Sequence, residues 1–404
     1  MIKRRNLLKA FLSMPMVGLL FNDSFAKPAS IGASVYGRDY FKELGLRSFI
    51  NAAGTYTALT GSIMRPEVMD AINYASQQYV RLEDIQERAG ARLAQLLHCE
   101  DAQVTAGAFS AMTLGLAGVL TGMDREKAAR IPTDLTGMKS EVILQKSHNI
   151  GYAHALRNTG VKIVEVETRK DLEKAINKNT AMLWYLNAHS ENSQISHEEF
   201  IEIGKKNGIP TMNDCAADVP PVENFWKYTG MGYDLVCFSG GKGIKGPQSA
   251  GLLLGRKDLI QAARISAPPN GDTVGRGMKV NKEEVLGMLI AIETYLATDH
   301  EKEWKLWEDQ IRLINSRAKS VTGVETEIHV PEVANHVPSL RIRWDQNLVK
   351  TSPNELREAL RAGHPSIETV GGKESVDITT WMMHPGEERI VAERVEQLLR
   401  EAAA

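Results

Sequence analysis

From about residue 51 the chain alternates short apolar runs with amphipathic stretches. The runs Ala102–Thr105, Glu141–Leu144, Lys162–Val166, Ala181–Leu186, Pro210–Asn213, Leu235–Phe238 and Ala250–Leu254 predict strands. Helical spacing of apolar positions marks Pro66–Tyr79, Leu82–Leu97 and Ala111–Leu120. Strands separated by helices imply βαβ units and a mostly parallel sheet flanked by helices. A long helical pattern follows over Lys282–Lys319, with a break near Thr298–His300. Glu325–Val330 and Ser339–Trp344 then predict strands, and Glu387–Ala402 a closing helix. The expected fold class is α/β: a large domain with a mostly parallel sheet, plus a smaller α+β C-terminal domain. The expected boundaries are an export signal over 1–26, an arm over 27–50, a large domain over 51–280, and a long helix with the small domain over 281–404.

The N-terminus breaks this pattern. Lys3, Arg4, Arg5 and Lys9 form a positive region ahead of the apolar stretch Ala10–Phe21. That stretch is shorter than the roughly 20 residues a membrane span needs. Ser24-Phe25-Ala26 offers small residues where a signal peptidase cuts. Lys3-Arg4-Arg5-Asn6-Leu7-Leu8-Lys9 resembles the twin-arginine export motif, the alternative being a general secretory signal with a chance arginine pair. Twin-arginine export carries folded proteins, commonly with a cofactor already bound. The expectation is a periplasmic protein, handled by the twin-arginine machinery, whose mature form is not membrane-embedded.

Composition narrows the classes. The 404 residues are 43% hydrophobic and 24% charged, which excludes a disordered or collagen-like chain. The net charge of −2 becomes −5 when residues 1–26, with four positive charges and one negative, are removed. A mildly acidic surface argues against a nucleic-acid partner. Cys99, Cys215 and Cys237 are odd in number and far apart, which argues against a disulfide framework or a zinc site; no metal is expected.

The chemistry concentrates in residues 210–255. Asp214 closes an apolar run, so it falls at a strand's carboxyl end, where open α/β sheets place ligands. Ser239-Gly240-Gly241-Lys242-Gly243 follows the next strand, and its glycines are expected to supply unusual backbone angles around Lys242. A reachable lysine with a lowered pKa can form a Schiff base with an aldehyde cofactor. Pyridoxal phosphate needs such a lysine, and a carboxylate at its ring nitrogen. Its phosphate needs backbone N–H groups at a helix start, which Thr105–Ser110 can provide, with Ser239 adding a hydroxyl. His148, just past a strand, is placed to stack on the pyridine ring. His189 and Asn187 follow another strand and can face cofactor or substrate. Lys245 competes with Lys242 for the Schiff base. Trp381, Met382, Met383, His364 and His384 either line the substrate side or pack in a core. Cys215 and Cys237 read as small buried hydrophobes.

Several stretches resemble the fold type I pyridoxal-phosphate enzymes, and within them the group of selenocysteine synthase and D-glucosaminate-6-phosphate ammonia lyase. They are Asn51-Ala52-Ala53-Gly54-Thr55, Gln86-Glu87-Arg88-Ala89-Gly90, Thr105-Ala106-Gly107-Ala108, Phe238-Ser239-Gly240-Gly241-Lys242-Gly243, Gly246-Pro247-Gln248-Ser249-Ala250-Gly251-Leu252-Leu253 and Gly275-Arg276-Gly277-Met278-Lys279-Val280. The resemblance implies an aspartate-aminotransferase-like fold and a homodimer or higher homo-oligomer. It implies Lys242 as Schiff-base lysine and proton shuttle, Asp214 as pyridinium partner, Gly107 and Ala108 as phosphate cup, Ser239 beside it, and His148 as stacking residue. It implies Arg276 and Lys279 as an anion-binding pair reaching across a subunit interface. The tRNA-binding N-terminal domain of selenocysteine synthase has no counterpart here.

The function this implies is an exported lyase acting on an amino acid or amino acid derivative by α,β-elimination. A racemase, an aldolase or a β-replacement transferase would use the same residues. A non-catalytic binding protein on this scaffold is a further alternative.

Overall fold

The computed structural model describes residues 37–403. The export signal over 1–26, and the arm up to residue 36, lie outside the described residues. The chain divides at Ser48 into two units. In the first, a single helical turn, Tyr40–Glu43, is capped by Asp39 and braced by an Arg38–Glu43 ion pair.

The second unit, Phe49–Ala404, holds twelve strands among the described residues. These are β1 (Phe49–Asn51), β2 (Asp101–Thr105), β3 (Glu141–Gln145), β4 (Lys162–Val166), β5 (Thr180–Leu186), β6 (Thr211–Asp214), β7 (Leu235–Ser239), β8 (Gly251–Gly255), β9 (Val324–His329), β10 (Ser339–Trp344), β11 (Ser366–Glu368) and β12 (Val376–Thr379). Seven of them form the main sheet, in the order β2-β8-β7-β6-β5-β3-β4. β8 runs antiparallel to both neighbours, and every other pairing is parallel.

The burial of β5 explains its composition. All seven of its residues are buried, as expected for a central parallel strand covered on both faces. Separate apolar clusters fill the two faces of the sheet. The helix Gly107–Thr121 is apolar nearly all round because it lies between the sheet and the helix Lys257–Ile265. It starts four residues earlier than its periodicity predicts. Residues 107–110 carry no apolar stripe, Phe109 being exposed among small neighbours.

The predicted break in the long helical pattern is real. Lys282–Leu296 and His300–Lys319 are separate helices, the second capped by Asp299, whose Oδ1 accepts from Lys302 N at 3.0 Å. Beyond them β12, β10 and β9 form an antiparallel sheet around its own apolar cluster. β1 pairs in parallel with β11, Phe49 opposite Ser366, so Ile50 and Ala52 join that cluster. Neither three-residue strand has a periodicity that sequence reading can use.

The parallel strands β5, β6 and β7 present their carboxyl ends along one edge, and the chain turns there into Asn187, Cys215 and Gly240. Behind that edge, the helix Gly107–Thr121 touches the helix Lys257–Ile265 backbone to backbone at Gly118. A Cβ at Gly118 would lie 2.6 Å from Ala263 N. Gly118→Ala is therefore expected to destabilise the protein by about 1–3 kcal/mol through overpacking. Gly230→Ala, where a Cβ meets nothing within 4 Å, is expected to stabilise by about 0.5–1 kcal/mol through helix propensity. Urea unfolding of both variants checks the opposite signs.

Candidate active site

A cavity of about 610 Å³ opens at that edge. Asp214, Ala216, Ser239 and Lys242 form its floor, and Gly107, Ala108 and Phe109 one end. Residues 53–57 and the segments 329–339 and 370–381 form the opposite wall.

Asp214 ends β6 and is 3% exposed. Its Oδ1 accepts hydrogen bonds from Ala216 N at 3.0 Å and from Cys237 Sγ at 3.6 Å. Burial pushes its carboxyl above the ordinary range, opposed by the Ala216 N–H and by the Lys242 charge. Lys242 follows β7. Burial pulls its ammonium down, while Asp214 and then Asp218 hold it up. Among the described residues no hydrogen bond or ion pair tethers its amine.

The glycines around Lys242 act differently from the expectation. None of Gly240, Gly241 and Gly243 has a left-handed φ. They are required by close approach. A Cβ at Gly241 would lie 2.6 Å from Gln248 Cα, and one at Gly243 2.1 Å from Val219 O. The turn is pressed between two other segments, which aims Lys242 inward. The residue with positive φ in this turn is Lys245, at 56°. Its Nζ lies 3.9 Å from Glu303 Oε1, and it does not line the cavity. Of the two lysines, Lys242 is the one that lines the cavity.

Gly107 does need its conformational freedom, with φ at 79° where the chain enters its helix. The N-cap residue is Ala106, which has no side chain to satisfy the first N–H groups. Those groups open at the cavity's end, beside Ser239. The set fits pyridoxal phosphate: an untethered amine, a buried carboxylate for the ring nitrogen, and a helix start for the phosphate.

Other expected residues lie elsewhere. His148 does not line the cavity. It is 0% exposed, accepts from Leu186 N through Nδ1 at 3.2 Å, and shares a 2.7 Å hydrogen bond between Nε2 and Ser193 Oγ. Its ring meets Tyr185 edge-on, with centroids 4.5 Å apart. With both nitrogens engaged in the core it does not reach a ring in the cavity. Burial, with His189 and His197 adding to it, pushes its pKa down to about 3. His189 is held by Ser147 O at 2.8 Å, and Asn187 donates to Tyr228 OH at 2.8 Å; neither lines the cavity. Arg276 and Lys279 are exposed and outside this chain's cavity lining. Of the C-terminal candidates, Trp381 lines the cavity, whereas Met382 and Met383 pack in apolar clusters.

The structure adds residues that sequence reading missed. Tyr56, Phe109 and Tyr152 are the further aromatic side chains lining the cavity. Asp377 lines the far wall, paired with Arg341 at 3.1 Å. Thr379 Oγ1, Trp381 Nε1 and His329 Nδ1 line the same wall, and each is buried without a hydrogen-bond partner among the described residues. Each such atom costs about 1–3 kcal/mol in a folded protein. Asp218, 1% exposed, sits beneath the floor. It accepts from Ala334 N at 3.1 Å, and burial pushes its carboxyl up to about 6.

Comparison with known proteins gives a consistent result. Residues 49–330 match the family described as SelA: L-seryl-tRNA selenium transferase. D-glucosaminate-6-phosphate ammonia lyase of Salmonella typhimurium is 29% identical, covering 90% of this chain and 98% of that one. 5'-C-glycyluridine monooxygenase-decarboxylase of a Streptomyces species is 28% identical, covering 89% and 92%. A solved structure of D-glucosaminate-6-phosphate ammonia-lyase superposes with a TM-score of 0.80 at 26% identity, covering 91% of this chain and 100% of that one. The fold is that of the fold type I pyridoxal-phosphate enzymes.

The buried His148 makes a stability prediction. Its folded pKa lies below the ordinary value of 6.5, so the unfolded chain binds more protons as pH falls below 6.5, and stability is lost there. Between pH 7 and pH 5 this amounts to about 2 kcal/mol. His148→Gln is expected to lose that much less stability over the same interval, measured by urea unfolding at both pH values. An unchanged difference would show that His148 is not the buried neutral group described.

Proposed function

The chain belongs to the SelA family, and from that membership we propose an exported, pyridoxal-phosphate-dependent lyase that acts on a small amino acid derivative by α,β-elimination. One observation carries the reading: one cavity is lined by both an untethered, half-buried Lys242 and a buried Asp214 carboxylate, while the neighbouring Lys245 is paired with Glu303.

Lys242 would hold the cofactor covalently, Asp214 would keep a proton on its ring nitrogen, and the first N–H groups of the helix from Gly107, with Ser239, would hold its phosphate. Bound there, pyridoxal phosphate supplies an electron sink for the electrons released at the substrate's Cα. Burial lowers the pKa of Lys242 against the pull of Asp214 and Asp218, which favours an Nζ able to take the Cα proton. The same nitrogen returns a proton to the β-hydroxyl, which leaves as water with the electron pair of the Cβ–O bond. The released product takes up water and gives a keto acid and ammonia, so the net change is a 2-amino-3-hydroxy acid to a 3-deoxy-2-keto acid plus ammonia. The relatives' names span an ammonia lyase, a selenium transferase and a monooxygenase-decarboxylase, so membership of the family alone does not select the reaction. A homo-oligomer with Arg276 and Lys279 at a subunit interface is part of the proposal, supported by their exposure.

Export rests on the Lys3-Arg4-Arg5 region, the short apolar stretch and the Ser24-Phe25-Ala26 site. The test expresses the chain with its own N-terminus and assays periplasmic and cytoplasmic fractions against hydroxylated amino acids of both hands. The expected outcome is keto acid and ammonia in equal amounts, formed by the periplasmic fraction. Lys242→Ala is expected to lose at least about 1000-fold in rate, and Lys245→Ala to stay within a few-fold. Racemised substrate without ammonia would replace elimination by racemisation. Activity confined to the cytoplasm would remove the export proposal.

A further inference from the structure

The loop between β9 and β10, residues 330–338, is fastened to the cavity floor by a residue that the chemistry at Lys242 does not use. Asp218 lies four residues past Asp214 and is 1% exposed. Its Oδ1 accepts from Ala334 N at 3.1 Å, and the carbonyl of its neighbour Ala217 accepts from Asn335 N at 2.8 Å. Asp218 is itself anchored, since its carbonyl accepts from Asn224 Nδ2 at 2.7 Å. From the opposite side Thr55 Oγ1 donates to Asn335 Oδ1 at 3.3 Å. The corner held in this way has uncommon backbone. Ala334 and Asn335 both have left-handed φ, at 51° and 48°. An alanine rarely adopts that conformation, so the bonds to Asp218 and Ala217 maintain a shape the loop does not favour by itself.

The corner stands between two cavities. Ala334 and Asn335 line the cavity of Lys242, whereas Val333, the residue before them, lines a second cavity of about 390 Å³. The exit of β5 is divided in the same way: Leu186 and Ala188 line the first cavity and Asn187 the second. Beyond Val333 the second cavity is bounded by Tyr185, His197 and Tyr228. Loop and strand exit thus form one partition, and Asp218 is the buried side chain that fastens the loop's half of it to the floor. Burying a carboxylate is unfavourable unless it is compensated. Burial pushes the Asp218 pKa up to about 6, although the Ala334 N–H and the Lys242 charge oppose it. Asp214 already supplies the carboxylate for the ring nitrogen, so this second buried carboxylate has a separate role to account for.

We propose that Asp218 determines specificity through the loop: by fastening Ala334 and Asn335 to the floor, it keeps the second cavity out of the reacting site and limits how far a substrate side chain extends. The proposal rests on the reading of Lys242 as the cofactor lysine and adds to it a limit on substrate size. Asp218 is a positioning residue. It does not line the cavity, and it acts through Ala334. Steric exclusion of the wrong ligand is as effective a source of selectivity as attraction of the right one.

The experiment has one reading on the protein without cofactor and one on the loaded enzyme. Amide exchange, followed by mass spectrometry on the peptide covering 330–338, reads the clamp itself. Asp218→Ala is expected to speed exchange there about 10-fold or more and to leave peptides of β6 and β7 unchanged. Asp218→Asn keeps an acceptor oxygen for Ala334 N and is expected to stay within about 3-fold of wild type. Ala334→Pro breaks the same bond from the loop's side, because proline has no N–H and cannot adopt φ 51°; it leaves the floor residues intact should Asp218→Ala fail to fold. In the loaded enzyme, aminooxyacetate and the bulkier O-benzylhydroxylamine displace the lysine from the cofactor's aldehyde carbon, and loss of the visible band gives each rate. The ratio of the bulky reagent's rate to the small one's is expected to rise about 10-fold in Asp218→Ala and Ala334→Pro, and less than about 3-fold in Asp218→Asn. Unchanged exchange in both clamp-breaking variants, faster exchange with an unchanged ratio, or Asp218→Asn behaving like Asp218→Ala would each overturn the proposal. A wild-type protein with no cofactor band would fail the reading on which the proposal rests, and the exchange result keeps that failure distinct from failure of the clamp.

Discussion

The structure depends on a buried carboxylate and a half-buried amine brought together at the ends of two adjacent strands. Asp214 and Lys242 both lie where a parallel sheet delivers its chain ends to one edge. Burial opposes the charge on each, raising the one and lowering the other, and each favours the charged form of its partner. Desolvation makes Lys242 a weaker base than an exposed lysine, while the pair's mutual attraction limits that shift. The surrounding packing serves to hold these two groups in place. Close backbone contacts with Gln248 and Val219 fix the turn that carries Lys242, and the Ala216 N–H fixes Asp214.

The floor of this cavity and its far wall have different origins. The floor comes from one continuous stretch, residues 214–242, and from the helix start at Gly107. The wall comes from residues 53–57, 329–339 and 370–381, which the small antiparallel sheet and the pairing of β1 with β11 bring together. The floor carries what pyridoxal-phosphate chemistry requires. The wall is where polar atoms wait unpaired. A division of this kind lets one scaffold support several reactions through changes in the wall alone.

That division also determines what could be read from sequence. Asp214, Ser239 and Lys242 were legible because each follows an apolar strand run within one local segment. Gly107 and Ala108 were legible as cavity-end residues because small residues between a strand and a helix mark a helix start. His148 was misread: its position after β3 is a strand end, but its ring turns into the core, where Leu186 N and Ser193 Oγ occupy both nitrogens. The glycines by Lys242 were noticed for the wrong reason, since close approach depends on segments such as Gln248 and Val219 that sequence alone does not place. Trp381 was seen as one of two possibilities. Thr379, Asp377 and His329 gave no local signal, because only the tertiary fold brings them opposite Lys242. β1 and β11 were missed for the same reason: their pairing joins residues more than three hundred positions apart.

The most direct test of the central claim is where the cofactor is attached. The protein is loaded with pyridoxal phosphate, reduced with borohydride, digested with trypsin, and the modified peptide is sequenced by mass spectrometry. Attachment at Lys242 blocks cleavage there, so the label is predicted on a peptide running from Tyr228 to Lys245, with the modification at Lys242. A label at Lys245, or labels spread over exposed lysines, would contradict the account.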